Sequence, residues 1–196
     1  MIIKNLIDLF KIQESFKMVN PFPLVLKNET ELNSYDIEKL FTIFKNDFID
    51  STAILNINNL SYPITVKPKN KCDCPFTGDN KPERFWHIIT EKEFNIQKRN
   101  NPCPEDKEKN RKYSSSRAKR IHWIKQIIDN SSDEHIKYFF EHNGEPTHFL
   151  WDTKRFYIVL IKHLGNTENL LVTAYPVHKN KYRDYKNRLN RYEKSL

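Results

Sequence analysis

Arg117 and Arg120 follow a run of three serines, Ser114 to Ser116, and lead into isoleucines at 121, 124 and 128. That stripe predicts a helix opening at the serines, with the two guanidiniums one turn apart on one face near its start. Two such forks suit bidentate capture of a phosphate. Upstream, His87 lies within the apolar run Arg84-Phe-Trp-His-Ile-Ile-Thr90. An imidazole with an ordinary pKa of about 6.5 can take or give a proton at neutral pH. Downstream, Leu170-Leu-Val-Thr-Ala-Tyr-Pro-Val177 reads as a strand. Alternation puts Leu171, Thr173 and Tyr175 on one face and Leu170, Val172 and Ala174 on the other, and Pro176, which cannot donate to a ladder, closes it. Two hydroxyls therefore sit at the rim of a sheet. Together these are parts suited to acid–base chemistry at a phosphate: a group to move a proton, cations to stabilise anionic charge, and hydroxyls to hold phosphate oxygens. A second proton-transfer group is not singled out, and His148, His163 and His178 are its candidates.

The charge balance fits a polyanion. The chain carries a net charge of +8 and a pI of about 9.3, with Lys and Arg gathered at Lys107–Lys125 and again at Lys179–Lys194. Clustered cations gain affinity for nucleic acid by releasing condensed counterions. Arg84, Trp123, Lys179, Tyr182 and Arg183 are the candidate substrate contacts. With 3 Gly among 196 residues there is neither a Walker pattern nor a dinucleotide fingerprint, so no nucleotide cofactor is expected. Cys72, Cys74 and Cys103, with His87, are the remaining metal-type ligands, but C-x-C is not the usual zinc spacing, and no metal is assigned. The odd cysteine number fits a reducing compartment. Met1–Met18 reads as an amphipathic helix, with charges interrupting its apolar positions, and no segment approaches bilayer length. A cytoplasmic protein with no membrane contact is the expectation.

The elements that must position these groups follow from periodicity. Ile37, Leu40, Phe41, Phe44 and Phe48 recur at helical spacing after Thr30 or Asn33 as N-cap. Residues 51–67 alternate as a hairpin turning at Asn58-Asn59, lying on the main sheet or ending a small subdomain. Arg84–Thr90 reads as a short strand or helix start, and Glu91–Ser116 as a long charged loop. Four strands follow, 135–142, 147–152, 156–163 and 170–175, with links short enough for an antiparallel meander. Tyr182, Tyr185, Leu189 and Tyr192 mark a closing basic helix. The fold expectation is α+β: N-terminal helices, then a four-stranded antiparallel sheet with a basic C-terminal helix, divided into a segment 1–80 and a domain 81–196.

Taken as a set, the Arg84–Thr90, Arg117–Ile124 and Leu170–Val177 segments resemble the barnase-EndoU-colicin E5/D-RelE-like (BECR) superfamily of phage and mobile-element nucleases. The resemblance spans roughly Arg84 to Arg191 and leaves the first eighty residues unmatched. It implies a metal-independent endoribonuclease without cofactor, often a toxin or conflict effector, acting on tRNA or mRNA and held by a cognate antitoxin or inhibitor. Carried over by position, its site residues are His87, Arg117, Arg120, Thr173 and Tyr175. Two other classes remain open. One is a non-catalytic RNA- or DNA-binding module that stacks bases on its tryptophans and tyrosines. The other is a protein-interaction domain.

Overall fold

A computed structural model describes residues 23–26, 33–57, 60–66, 81–92, 111–142, 144–165 and 168–196. Helix α1, Ser34–Phe48, starts as its sequence requires: the Asn33 side chain accepts from Asp36 N–H at 2.9 Å, and Leu40, Phe44 and Phe48 face inward. Strands β1, Ala53–Ile57, and β2, Leu60–Thr65, form the expected hairpin, with alternate residues of β1 buried. Helix α2, Glu83–Ile89, takes up the Arg84 run and buries Phe85, Trp86, Ile88 and Ile89. The region read as a charged loop is organised at both ends: β3, Thr90–Lys92, pairs antiparallel with β4, Arg111–Tyr113. A four-residue helix α3, Ser115–Ala118, and then α4, Trp123–Asp129, replace the single helix expected across 114–128. The meander is β5, Ile136–Glu141, β6, Thr147–Asp152, β7, Tyr157–His163, and β8, Asn169–Pro176, and α5, Lys179–Glu193, closes the chain.

The architecture is α+β, with six strands in the main sheet rather than four. Its order is β1-β2-β8-β7-β6-β5, because the N-terminal hairpin adds to the free side of the meander through a parallel pairing of β2 with β8. That pairing comprises Ile64↔Asn169 and Thr65↔Leu170, reinforced by Thr65 Oγ1 donating to Asn169 O at 3.1 Å. Further along β8 the neighbours are α2 and α3.

Two cores hold the layers. Side chains of α1, α2, α3 and α4 pack with Leu55, Leu150, Val159, Ile161, Leu171 and Ala174, while Tyr185 and Leu189 of α5 pack with Phe139, Phe149, Trp151 and Ile158. Fully burying one such side chain contributes about 1.5–3 kcal/mol. Arg188 fixes α5 against the sheet, its guanidinium 4.3 Å above the Phe149 ring and paired through two nitrogens with Glu141. That pairing holds the Glu141 carboxyl below its ordinary pKa.

Strict alternation along β8 fails at one place. Ile161 pairs with Leu171 and Leu160 with Thr173, which leaves Val172 as an extra, bulged residue. Leu171 consequently joins Ala174 in the core, and Val172 turns to the same side as Thr173. This corrects both faces expected from the sequence, since a bulge shifts everything before it by one residue.

Candidate active site

Beyond its two-residue pairing with β2, β8 borders a cleft of about 550 Å³. Arg84 and His87 of α2, Glu91 and Arg111 of the β3–β4 ribbon, and Ser116 and Arg117 of α3 form one wall. Val172, Thr173, Tyr175, Pro176 and His178 form the other. Thus His87, Arg117, Thr173, Tyr175 and Arg84, chosen from separate parts of the sequence, line one cavity. Three guanidiniums face one carboxylate there, so the cleft favours an anion.

The contacts of His87 fix its tautomer. Arg84 Nη1 lies 3.2 Å from His87 Nδ1, and a guanidinium can only donate, so Nδ1 accepts and the ring proton sits on Nε2. Nε2 in turn lies 3.3 Å from a Glu83 carboxylate oxygen one helical turn earlier. The imidazole, 12% exposed, is held between an arginine and a glutamate of its own helix.

Arg117 and Arg111 share an anchor. Arg117 Nη1 donates to the carbonyls of His87 at 3.0 Å and Thr90 at 2.6 Å, and Arg111 Nη2 donates to the same two at 3.2 and 3.1 Å. These oxygens end α2, where cations are favoured by the helix dipole. Arg111 Nε also donates to Thr90 Oγ1 at 2.8 Å, and Arg117 lies 5.2 Å from the centre of the Tyr175 ring. Burial lowers the Arg117 pKa, opposed by Tyr157, Glu91 and Tyr175. Tyr175 and Tyr185 hydroxyls meet at 2.6 Å, tying the cleft wall to α5. His178 lines the cleft and stands at the N-cap position of α5 without a side-chain capping bond, so the positive end of a 15-residue helix dipole stands at the rim.

Other expected residues lie elsewhere. Because the chain leaves α3 after Ala118, Arg120 is turned out of the cleft; it donates to Ser116 O at 2.5 Å and lies over the Trp123 ring. Trp123, 4% exposed, packs edge-on against Tyr157 and is core rather than a stacking surface. Lys179 and Arg183 are exposed on α5 and Tyr182 packs on Trp151, all outside the cleft lining. Of the three further histidines only His178 lines the cleft. His148 and His163 face each other at 5.5 Å near Tyr138 and Asn169, where burial first and His163 second hold the His148 pKa at about 4. Arg111 was hidden in a stretch without periodicity; its signal is the three-residue pairing that follows the His87 helix. Met1–Met18 and the three cysteines lie outside the described residues. Among the described residues no cluster of His, Cys, Asp or Glu is spaced to hold a metal, and no helix is long and apolar enough to cross a membrane. Comparison with protein-family models, curated proteins and solved structures finds no match to this chain.

Proposed function

We propose that the cleft cleaves RNA without a metal, by attack of the 2′-hydroxyl on the adjacent phosphorus. The observation that carries this reading is the convergence of two histidines, three arginines and three hydroxyl side chains on a single cavity. The phosphate lies against Arg111 and Arg117, whose fixed donors stabilise the phosphorane. Arg84 is drawn from His87 Nδ1 to the phosphate, which opens that lone pair to the 2′-hydroxyl proton while Glu83 holds Nε2–H and supports the imidazolium. Thr173 and Tyr175 hydrogen-bond phosphate oxygens, and His178 gives its proton to the leaving 5′-oxygen. The toxin role and a cognate inhibitor belong to the same proposal, as does a cytoplasmic site of action.

A second reading, a non-catalytic RNA-binding module, is favoured by the Arg84 contact that occupies the histidine's acceptor nitrogen. Turnover separates the two. With total tRNA and mRNA in EDTA, the wild-type protein is expected to cleave, and His87→Ala to bind RNA with nearly unchanged affinity while losing cleavage. One neutral imidazole adds little to counterion release. Thermal unfolding of the variant is the control for fold. A folded His87→Ala protein that cleaves at the wild-type rate removes His87 from the mechanism, and a wild type that binds RNA without cleaving it leaves the binding module.

A further inference from the structure

The turn between β6 and β7 holds a residue its geometry disfavours. Asp152 Oδ1 accepts from the N–H groups of Lys154 at 3.0 Å and Arg155 at 2.8 Å, a side-chain brace that sets the start of the turn. The last turn residue then enters the left-handed region, where hairpins of this kind usually carry glycine or asparagine. Here it is Phe156, with φ 53°, the one non-glycine residue at positive φ among the described residues. An aromatic side chain there is strained, and such strain concentrates at functional positions. Phe156 also leaves 44% of its surface exposed, so its ring is not explained by the core.

Its place relative to the cleft is set by the backbone. Phe156 O accepts from Val177 N at 2.6 Å, and the residues on either side, Pro176 and His178, both line the cleft. The ring lies 6.0 Å from that of Tyr182, which packs in turn at 4.9 Å on Trp151. Exposed cations surround the pair: Lys154 in the turn, and Lys179 and Lys186, three residues before and four after Tyr182 on the helix surface.

We propose that Phe156 and Tyr182 form a stacking shelf for a nucleobase next to the phosphate held in the cleft. This rests on the RNA reading above and adds to it the site that holds a base. Phe156 is hydrogen-bonded to Val177, one residue from both Pro176 and His178, so its backbone lies within about 7 Å of the cleft lining, roughly one nucleotide step. Stacking on an aromatic face is sequence-tolerant, and the surrounding lysines take the flanking phosphates. The apolar shelf and the basic rim together fit a single-stranded nucleic acid, whose bases are free to turn outward.

The test uses two probes, a 2′-O-methyl RNA hexanucleotide that cannot be cleaved and inorganic polyphosphate, which has no bases. Phe156→Gly is expected to weaken hexanucleotide binding by about 5- to 150-fold, the range for one stacked base, and to leave polyphosphate binding unchanged. Glycine accepts the positive φ freely, so the melting temperature should not fall. Phe156→Leu, which keeps apolar bulk without a ring, should bind like the glycine variant, and Phe156→Trp like the wild type. Hexanucleotide binding that survives Phe156→Gly overturns the shelf alone. A wild-type protein that binds neither probe overturns the RNA reading and the shelf with it, and equal losses for both probes mean that Phe156 shapes the cleft instead.

Discussion

Arg111 and Arg117 offer a test of the cleft that needs no substrate. Their donor nitrogens lie 3.1 and 2.6 Å from the same Thr90 oxygen, which puts them within 5.7 Å of each other, the combined length of the two bonds. At an effective dielectric of about 20, unit charges at that distance repel by about 3 kcal/mol. Arg111→Met removes that repulsion together with charge-assisted bonds of about the same worth. Neither carbonyl nor the threonine hydroxyl is left stranded: both carbonyls keep Arg117, and Thr90 Oγ1 keeps its bond to Trp86 O at 2.6 Å. The same accounting applies to Arg117→Met. Each single variant should therefore change stability by less than about 1 kcal/mol. In the double variant the end of α2 loses both cations with only one repulsion relieved, so it should cost about 3 kcal/mol beyond the sum of the singles. A double-mutant cycle in urea reads this coupling directly. Single losses above about 3 kcal/mol that add to within about 0.5 kcal/mol would refute the shared anchor.

Two predictions concern pH. His148 titrates at about 4 in the folded protein against an ordinary 6.5, so the unfolded chain takes up its proton first and stability falls as pH drops from 6.5 to 4. Linkage sets an upper limit of about 3 kcal/mol, reduced to about 1–2 where water reaches the ring. Urea midpoints at pH 7.5 and 4.5 should differ less in His148→Gln than in the wild type, and an unchanged difference would count against this origin. Asp47 has the opposite sign: burial, opposed by Lys125 and helped by Asp129, raises its pKa from 3.8 to about 6, so its ionisation costs stability as pH rises through that range. Asp47→Asn should stabilise by about 1 kcal/mol at pH 7.5, allowing for partial exposure, and by nothing at pH 3.5, with a gain at both values ruling out the charge as cause.

What the sequence disclosed was what local periodicity encodes. Asn33 before an apolar stripe predicts α1, and alternating residues with short links predict the meander, β6 to the residue. Side chains fixed by their own element were also readable: His87, Arg117, Thr173 and Tyr175 converge where the last turn of α2, the short helix α3 and the end of β8 meet. What escaped depends on partners far along the chain. The β2–β8 pairing joins residues 104 positions apart and leaves no periodic trace. The bulge at Val172 is set by its register with β7, so alternation alone misassigned the faces of β8. Arg120 was lost for a local reason, because the turn after Ala118 interrupts a stripe that the isoleucines alone would have continued.

The parallel joint between β2 and β8 also imposes an order in time. A ribosome adds about 5–20 residues per second, so β2 waits roughly 5–20 s for Asn169 and Leu170 to be made. Throughout that interval the N-terminal hairpin has one strand edge without its native neighbour, and Leu40 and Phe44 of α1 lack the core partners that β6, β7 and β8 supply. Such an edge is a template for other chains. The exposed Glu38, Lys39 and Lys45 of α1 and the proline within β2, at position 63, are suited to keeping the nascent segment soluble during the wait. His87 and Arg117 emerge during that wait, but the wall they face is completed only with β8, so the cleft is assembled only after that strand has been made.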